Sequence, residues 1–484
     1  MAGIGIKLNK IFSKNTIATN LVGFAYSTMS TLTPMLVVIL NVMLMEYFLD
    51  FETLGLVERE LFSCSMLYIF IFAMLTSSPF NSVLSKYMSD VIYEDRFEDI
   101  RPCYYLGLFM NVFLSSLVGI PFCLWEHFVG KVDVFYTFTG YCCYIALVLV
   151  LYSMIYLSIS KDYQKLSLFF SAGMVWAFVF SLFLRFIMRW GIRESMLFAL
   201  MTGFFLTAFL ELAVVKRYFT KNSNRYKSVL RYFGKYWQLV LGNFLYILGL
   251  YIHNFAFWNT DGKLVVVKTF VCNQPYDMAT CLAMFTNISA TVIFITRVEM
   301  YFHDRYKNYS EAVIGGRGAD IDNAKKEMFR QLSAELMNLA RIQFIITVVV
   351  YLIAIVFLPM FGISNLTLRI YPCLTVGYFI VFIMYAEIIF LYYFNDLAGV
   401  FLTSLAFCLV TFLGSIFAAR LPELWYGIGL VLGAFVGWAM AYFRLRHIER
   451  RLDAHVFCRG SLLKPGMGTK PPAKVYDKEA VSGK

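Results

Sequence analysis

Charge is scarce in this chain. Only 15% of its 484 residues are Asp, Glu, Lys or Arg, against 60% hydrophobic and 18% aromatic. A soluble globular domain carries about 25% charged residues, so this composition excludes that class and belongs to the lipid bilayer. Histidine is rarer still. The five histidines are scattered without HExxH spacing and the ten cysteines form no CxxC pair, so no metal site is expected. The GxxxxGK[ST] phosphate cradle is missing, which excludes an ATPase engine within the chain. Gly316-x-Gly318 lacks the third glycine and the preceding strand of a dinucleotide site, so no cofactor is expected. The net charge of +11 has no compact basic module with interleaved aromatics behind it, so nucleic acid is not an expected partner.

What the chain does have is apolar runs of about 20 residues, each long enough to cross a ~30 Å hydrocarbon core as a helix. Twelve such spans fall at 19–47, 60–85, 103–125, 133–158, 166–188, 194–215, 236–257, 279–298, 342–360, 369–393, 397–419 and 422–443. Most of the 42 Lys and Arg lie in connections on one side of them, which by the positive-inside rule marks the cytoplasm. An even number of spans puts both termini there, in agreement with Lys7, Lys10 and Lys14 and with Arg444, Arg446, Arg450 and Arg451. The N-terminal apolar run is too long for a signal peptide and lacks a small-x-small cleavage site, so a retained first span is expected. The expected fold is an all-α polytopic membrane protein with spans divided six and six by the basic connection Lys216–Lys235. That division is the pattern of transporters built as two bundles around a central cavity. The expected units are an N-terminal bundle at 1–226, a C-terminal bundle at 227–448 and a disordered cytoplasmic tail at 449–484.

One cytoplasmic connection is long, at 299–340. Met328, Leu332 and Leu336 recur at helical spacing among Lys325, Lys326, Arg330 and Glu335, which predicts an amphipathic helix on the inner surface running into span nine. Gly315-Gly316-Arg317-Gly318 reads as a hinge before it. Asp320-x-Asp322 resembles a metal-binding DxD pair, yet at a helix start an acid caps free N–H groups, and capping is the better reading. In the outer connection 258–278, Leu264-Val265-Val266-Val267 suits a short strand over the cavity mouth. Cys272 and Cys281 lie near the same face, where a bridge between them is conceivable, while most other cysteines sit within apolar spans as small hydrophobes.

Span one concentrates hydroxyls, with Tyr26, Ser27, Ser30 and Thr31 followed by Pro34. These suit a polar cavity wall with a proline hinge, although serine and threonine also bond back to their own helix. In span seven, Asn243 and Tyr246 combine an amide with a flat ring whose edge is polar, a pairing suited to sugars. His253 and Asn254 lie near the outer end, where an interfacial position is expected. Two carboxylates stand inside spans: Glu211 in span six and Glu387 in span ten. A charge at the bilayer centre costs ~2.5 kcal/mol or more, so both are candidates for ion coupling. Snorkelling, or for Glu211 pairing with Lys216 or Arg217, is the alternative. Gly429, Gly433 and Gly437 form a stripe that permits close helix packing.

Three stretches resemble one family. Met1-Ala2-Gly3-Ile4-Gly5-Ile6 with span one up to Pro34, then Tyr236-Trp237 through Tyr246 and Gly249 to Phe257-Trp258, and Tyr276-Asp277-Met278-Ala279 on to Arg297 and Phe302 are similar to PelG proteins. Those are cytoplasmic-membrane transporters of Pel-type exopolysaccharide in the flippase superfamily that includes the multidrug extruders. The resemblance runs along nearly the whole chain. It implies twelve helices in two six-helix bundles and no enzymatic activity. It also implies export of a hexosamine-rich, partly cationic polymer beside a cytosolic glycosyltransferase and other membrane subunits. Where an Asp-Lys pair is expected in span seven this chain has His253-Asn254. Two further readings remain: a lipid-linked oligosaccharide or multidrug flippase of the same superfamily, and a non-transporting membrane scaffold for a glycosyltransferase.

Overall fold

The computed structural model describes residues 36–159, 163–297, 302–361 and 363–459. Those residues are nearly all helical, because a backbone in hydrocarbon must satisfy its own polar groups. Helices α1 (Leu36–Phe48), α2 (Leu56–Tyr93), α3 (Ile100–Phe128), α4 (Val134–Ile159), α5 (Tyr163–Leu182) and α6 (Ile192–Tyr218) form a first bundle. A short amphipathic helix, α7 (Tyr226–Lys235), leads to α8 (Trp237–Phe257), the strands β1 (Leu264–Val266) and β2 (Phe270–Cys272), and α9 (Gln274–Arg297). Then come α10 (His303–Gly315), α11 (Gly318–Phe357), α12 (Asn365–Tyr393), α13 (Leu397–Ala418) and α14 (Ile428–Arg459). Among the described residues, ten helices are long and apolar enough to cross a membrane. The short α1 and the polar-ended α9 fall outside that set.

The two bundles repeat one packing plan. In the first, the second helix packs on the third and fourth, the fourth on the third and sixth, and the fifth on the sixth. The second bundle, taken as α8, α9, α11, α12, α13 and α14, repeats each of these pairs. The first and fifth helices also meet in both. Asn41 reaches Met174 at 3.6 Å and Phe48 lies edge-on to Phe178, while α8 packs along α13. The glycine stripe works as expected. A Cβ on Gly433 would lie 2.7 Å from the Thr411 backbone nitrogen, and α13 and α14 can approach this closely only because none is there.

The end carrying the basic helix α7 and the helix α10 is termed inner, the opposite end outer. At the inner end α7 packs on α2 and α3. Its Tyr232 hydroxyl donates to Asp90, and Tyr87 and Ser228 share a 3.0 Å hydrogen bond. Burial, and then the Asp90 carboxylate, push the Tyr232 hydroxyl above its ordinary range, so it stays a donor. The inner connection matches its expectation and adds to it. Helix α11 is continuous from the amphipathic segment through the span, and the break at the glycines separates it from α10, which the pattern did not predict. Asp320 caps α11 by accepting from the Arg317 N–H at 3.0 Å, and among the described residues no cluster suits a metal. Helix α14 continues to Arg459, so ordered structure reaches into the segment assigned to the tail; residues 460–484 lie outside those described.

Candidate functional site

The bundles meet along α2 and α8, and this seam is built around a proline. Pro79 has no N–H to give its i−4 carbonyl, Leu75, and the neighbouring Ser78 hydroxyl donates to that oxygen at 2.8 Å instead. One residue on, the Ser78 carbonyl accepts from Asn243 of α8 at 2.6 Å. Toward the outer end Tyr251 donates to the Met74 sulfur at 3.2 Å, Phe72 stacks on Phe255, and Tyr68 stacks on Trp258 with rings 5.0 Å apart. Asn243 is thus a seam residue. Tyr246, less than one turn away, turns into the second bundle, with its half-buried ring 5.6 Å from Tyr385 and 6.2 Å from Phe407. The structure does not bring these two expected cavity residues onto one wall. Tyr26, Ser27, Ser30, Thr31 and the hinge Pro34 lie outside the described residues.

His253 and Asn254 lie beneath neighbouring helices. Both are buried, because α9 and α12 close over this part of α8. The His253 ring nitrogens lie 2.9 Å from the Tyr276 hydroxyl and 3.4 Å from that of Tyr378. Asn254 donates to Asp277 at 2.7 Å, and the same carboxylate accepts from the Trp258 indole at 3.0 Å and the Asn273 backbone at 2.9 Å. Three donors on one buried acid pin the start of α9 to α8, a structural task.

The two carboxylates expected inside spans are both buried. Glu211 on α6 is 0% exposed, and neither of its oxygens has a hydrogen-bond partner among the described residues. It does not pair with Lys216 or Arg217; five and six places along a helix, those side chains leave on other faces. Glu387 on α12 is 2% exposed; the Trp438 indole of α14 reaches one oxygen and the other has no partner among the described residues.

A third carboxylate escaped the sequence reading. Glu126, at the outer end of α3, lines a cavity of about 90 Å³ between α2, α3 and α4, whose walls are Tyr68, Phe72, Phe122, Tyr136 and Tyr144. The Arg193 guanidinium covers the far face of this region, 4.6 Å from the Tyr136 ring centre. In the sequence Trp125-Glu126-His127 reads as an ordinary interfacial helix end, one place beyond the expected span. Only the burial of Glu126, at 5% exposed, sets it apart.

Ten helices long and apolar enough to cross a membrane, packed in two repeated groups with buried acids inside them, describe a multi-pass membrane protein. The comparisons agree at the level of fold. An outward-facing multidrug resistance MATE family transporter of the MOP superfamily superimposes with a TM-score of 0.59 over 89% of this chain and 96% of its own, at 12% identity. A MOP superfamily transporter from Pyrococcus furiosus, reported for the reversed polarity of its binding pocket, gives 0.60 at 12% identity, covering 89% and 96%. An inward-facing MATE transporter gives 0.56 at 10% identity, covering 82% and 91%. No curated protein matches the chain. The PelG family model, that of the exopolysaccharide exporters (EPS-E), matches residues 1–457, and the chain belongs to this family.

Proposed function

We propose that this protein exports a Pel-type, hexosamine-rich exopolysaccharide across the bacterial cytoplasmic membrane, along the path between its two bundles. In this reading all twelve helices of the two bundles span the membrane, six in each, with both termini in the cytoplasm. Residues 1–226 and 227–448 are the two moving units and 449–484 the tail. A cytosolic glycosyltransferase and further membrane subunits deliver the growing chain to the inner end. Asn243 and Tyr246 on α8, with the hydroxyls of span one, contact the sugar.

The observation that carries the reading furthest is the pair of buried acids, one in each bundle, each with an oxygen lacking a partner among the described residues. Every positive charge moved outward opposes an inside-negative potential by ~2.3 kcal/mol per 100 mV. Polymer synthesis can push against that load, and an inward cation can offset it. Glu387 and Glu211 are the coupling residues in this account. The test is cell-surface polymer, quantified with a sugar-binding lectin, in cells carrying Glu387→Gln. With the variant inserted at the normal level, surface polymer falls about tenfold, equivalent to ~1.4 kcal/mol, and collapsing the ion gradients lowers it little further. Full export by Glu387→Gln that still collapses with the gradients removes Glu387 from the mechanism.

A further inference from the structure

We infer that Cys64 and Cys272 form a disulfide bond that fastens the outer hairpin to α2, and with it the start of α9 to the first bundle. Cys64 lies in α2, two turns in from its outer end, and Cys272 closes β2; the residues are 208 apart in sequence. Their sulfurs are 3.0 Å from each other and both side chains are buried. Cys281, the partner the sequence suggested for Cys272, is exposed instead.

The hairpin is held for this contact from several directions. Strands β1 and β2 pair in register from Leu264 with Cys272 to Val266 with Phe270. The Tyr68 hydroxyl of α2 bonds both sides of one residue, donating to the Val271 carbonyl at 2.8 Å and accepting from its N–H at 3.1 Å. Phe270 lies edge-on to Tyr68 and Phe122, at 5.0 and 5.3 Å. Val266, Phe270 and Cys272 are thereby buried in the core of the first bundle, although they belong to the second half of the chain. The turn is itself strained. Val267 and Lys268 have φ of 49° and 64°, and a β-branched residue there persists only where the surroundings hold it. The latch to α2 supplies that hold.

The bond rests on the proposed orientation, in which the hairpin faces the oxidising compartment outside the cytoplasmic membrane. There the oxidant is the disulfide of a thiol–disulfide oxidoreductase. One cysteine thiolate attacks it to give a mixed disulfide, and the second displaces the oxidant's sulfur. The two thiols lose two protons and two electrons, and the oxidant leaves as a dithiol. Exchange takes place before the hairpin docks, while the sulfurs are still reachable.

The test uses the full chain in native membranes, quenched in acid, denatured and treated with a maleimide-linked polymer before and after reduction. Two of the ten cysteines become reactive only after reduction, and both Cys64→Ser and Cys272→Ser abolish that difference. A digest of the unreduced wild type contains one cross-linked peptide pair carrying residues 64 and 272, which decides the matter even where a serine variant fails to insert. Ten reactive thiols without reduction, or a reduction-sensitive pair that survives in Cys64→Ser, overturns the bond. In parallel, Lys263→Cys is probed with a membrane-impermeant maleimide added to intact cells. Labelling without a disulfide leaves the orientation standing and removes the bond; absence of both labelling and disulfide removes both.

Discussion

In the first bundle α5 and α6 touch at Gly173 and Gly203, where a Cβ on either glycine would sit 2.6 Å from the other's carbonyl oxygen. In the second, the corresponding pair α13 and α14 meets along Gly414, Gly429 and Gly433, again backbone against backbone. The same pair of helices is therefore brought together by glycine in both halves, through different residues. The inner ends differ. Asp99, ahead of α3, is buried and shared among Arg96 at 2.6 Å, Arg225 at 3.8 Å and the Ser223 hydroxyl. Asp396, ahead of α13, is held by Arg444 alone among the described arginines, through two parallel bonds of 2.9 and 2.8 Å. The buried acids differ too, since among the described residues Glu387 keeps one indole donor and Glu211 has none. A repeated plan thus constrains where backbones touch and leaves the charged groups free to diverge, so function is to be sought in the divergent groups.

That comparison can be broken most severely at the glycines. Gly433→Leu drives a side chain into the Thr411 backbone, which cannot move aside, and overpacking of this kind costs about 1–3 kcal/mol or more. Loss of the monodisperse species on size-exclusion chromatography is expected, and Gly203→Leu should behave alike if the halves are equivalent. Arg444→Ala leaves Asp396 buried without its cation, a change worth about 3–5 kcal/mol. Arg96→Ala should cost clearly less, because Arg225 and Ser223 remain on Asp99; thermal unfolding in detergent orders the two. Asp277→Asn removes the charge from an acceptor serving three donors, for which about 1–3 kcal/mol is expected by the same assay. Asn243→Ala deletes one seam hydrogen bond and should lower stability by only about 1 kcal/mol. A larger loss there would mean that the bundles depend on each other for folding.

Much of this was legible beforehand, because it rests on local patterns. Apolar runs marked the ten described helices long and apolar enough to cross a membrane, and a cap residue beside glycines marked the start of α11. What stayed hidden depends on partners distant in sequence. Cys64 and Cys272, Asp396 and Arg444, and Ser78 and Asn243 each join residues that no periodicity relates. For His253 and Asn254 the position along α8 was legible, but their cover by α9 and α12 was not. Glu126 was missed because burial at a helix end depends on neighbouring helices, not on the helix's own composition.

The central claim is that this chain carries the polymer across the membrane. Inverted membrane vesicles from cells that make the polymer, supplied with nucleotide sugar outside, test it most directly. With the wild-type chain, newly made polymer accumulates in the lumen and resists an added glycosidase; with Glu387→Gln it is made at a similar rate but is digested. Equal protection in vesicles lacking the chain altogether would contradict the account.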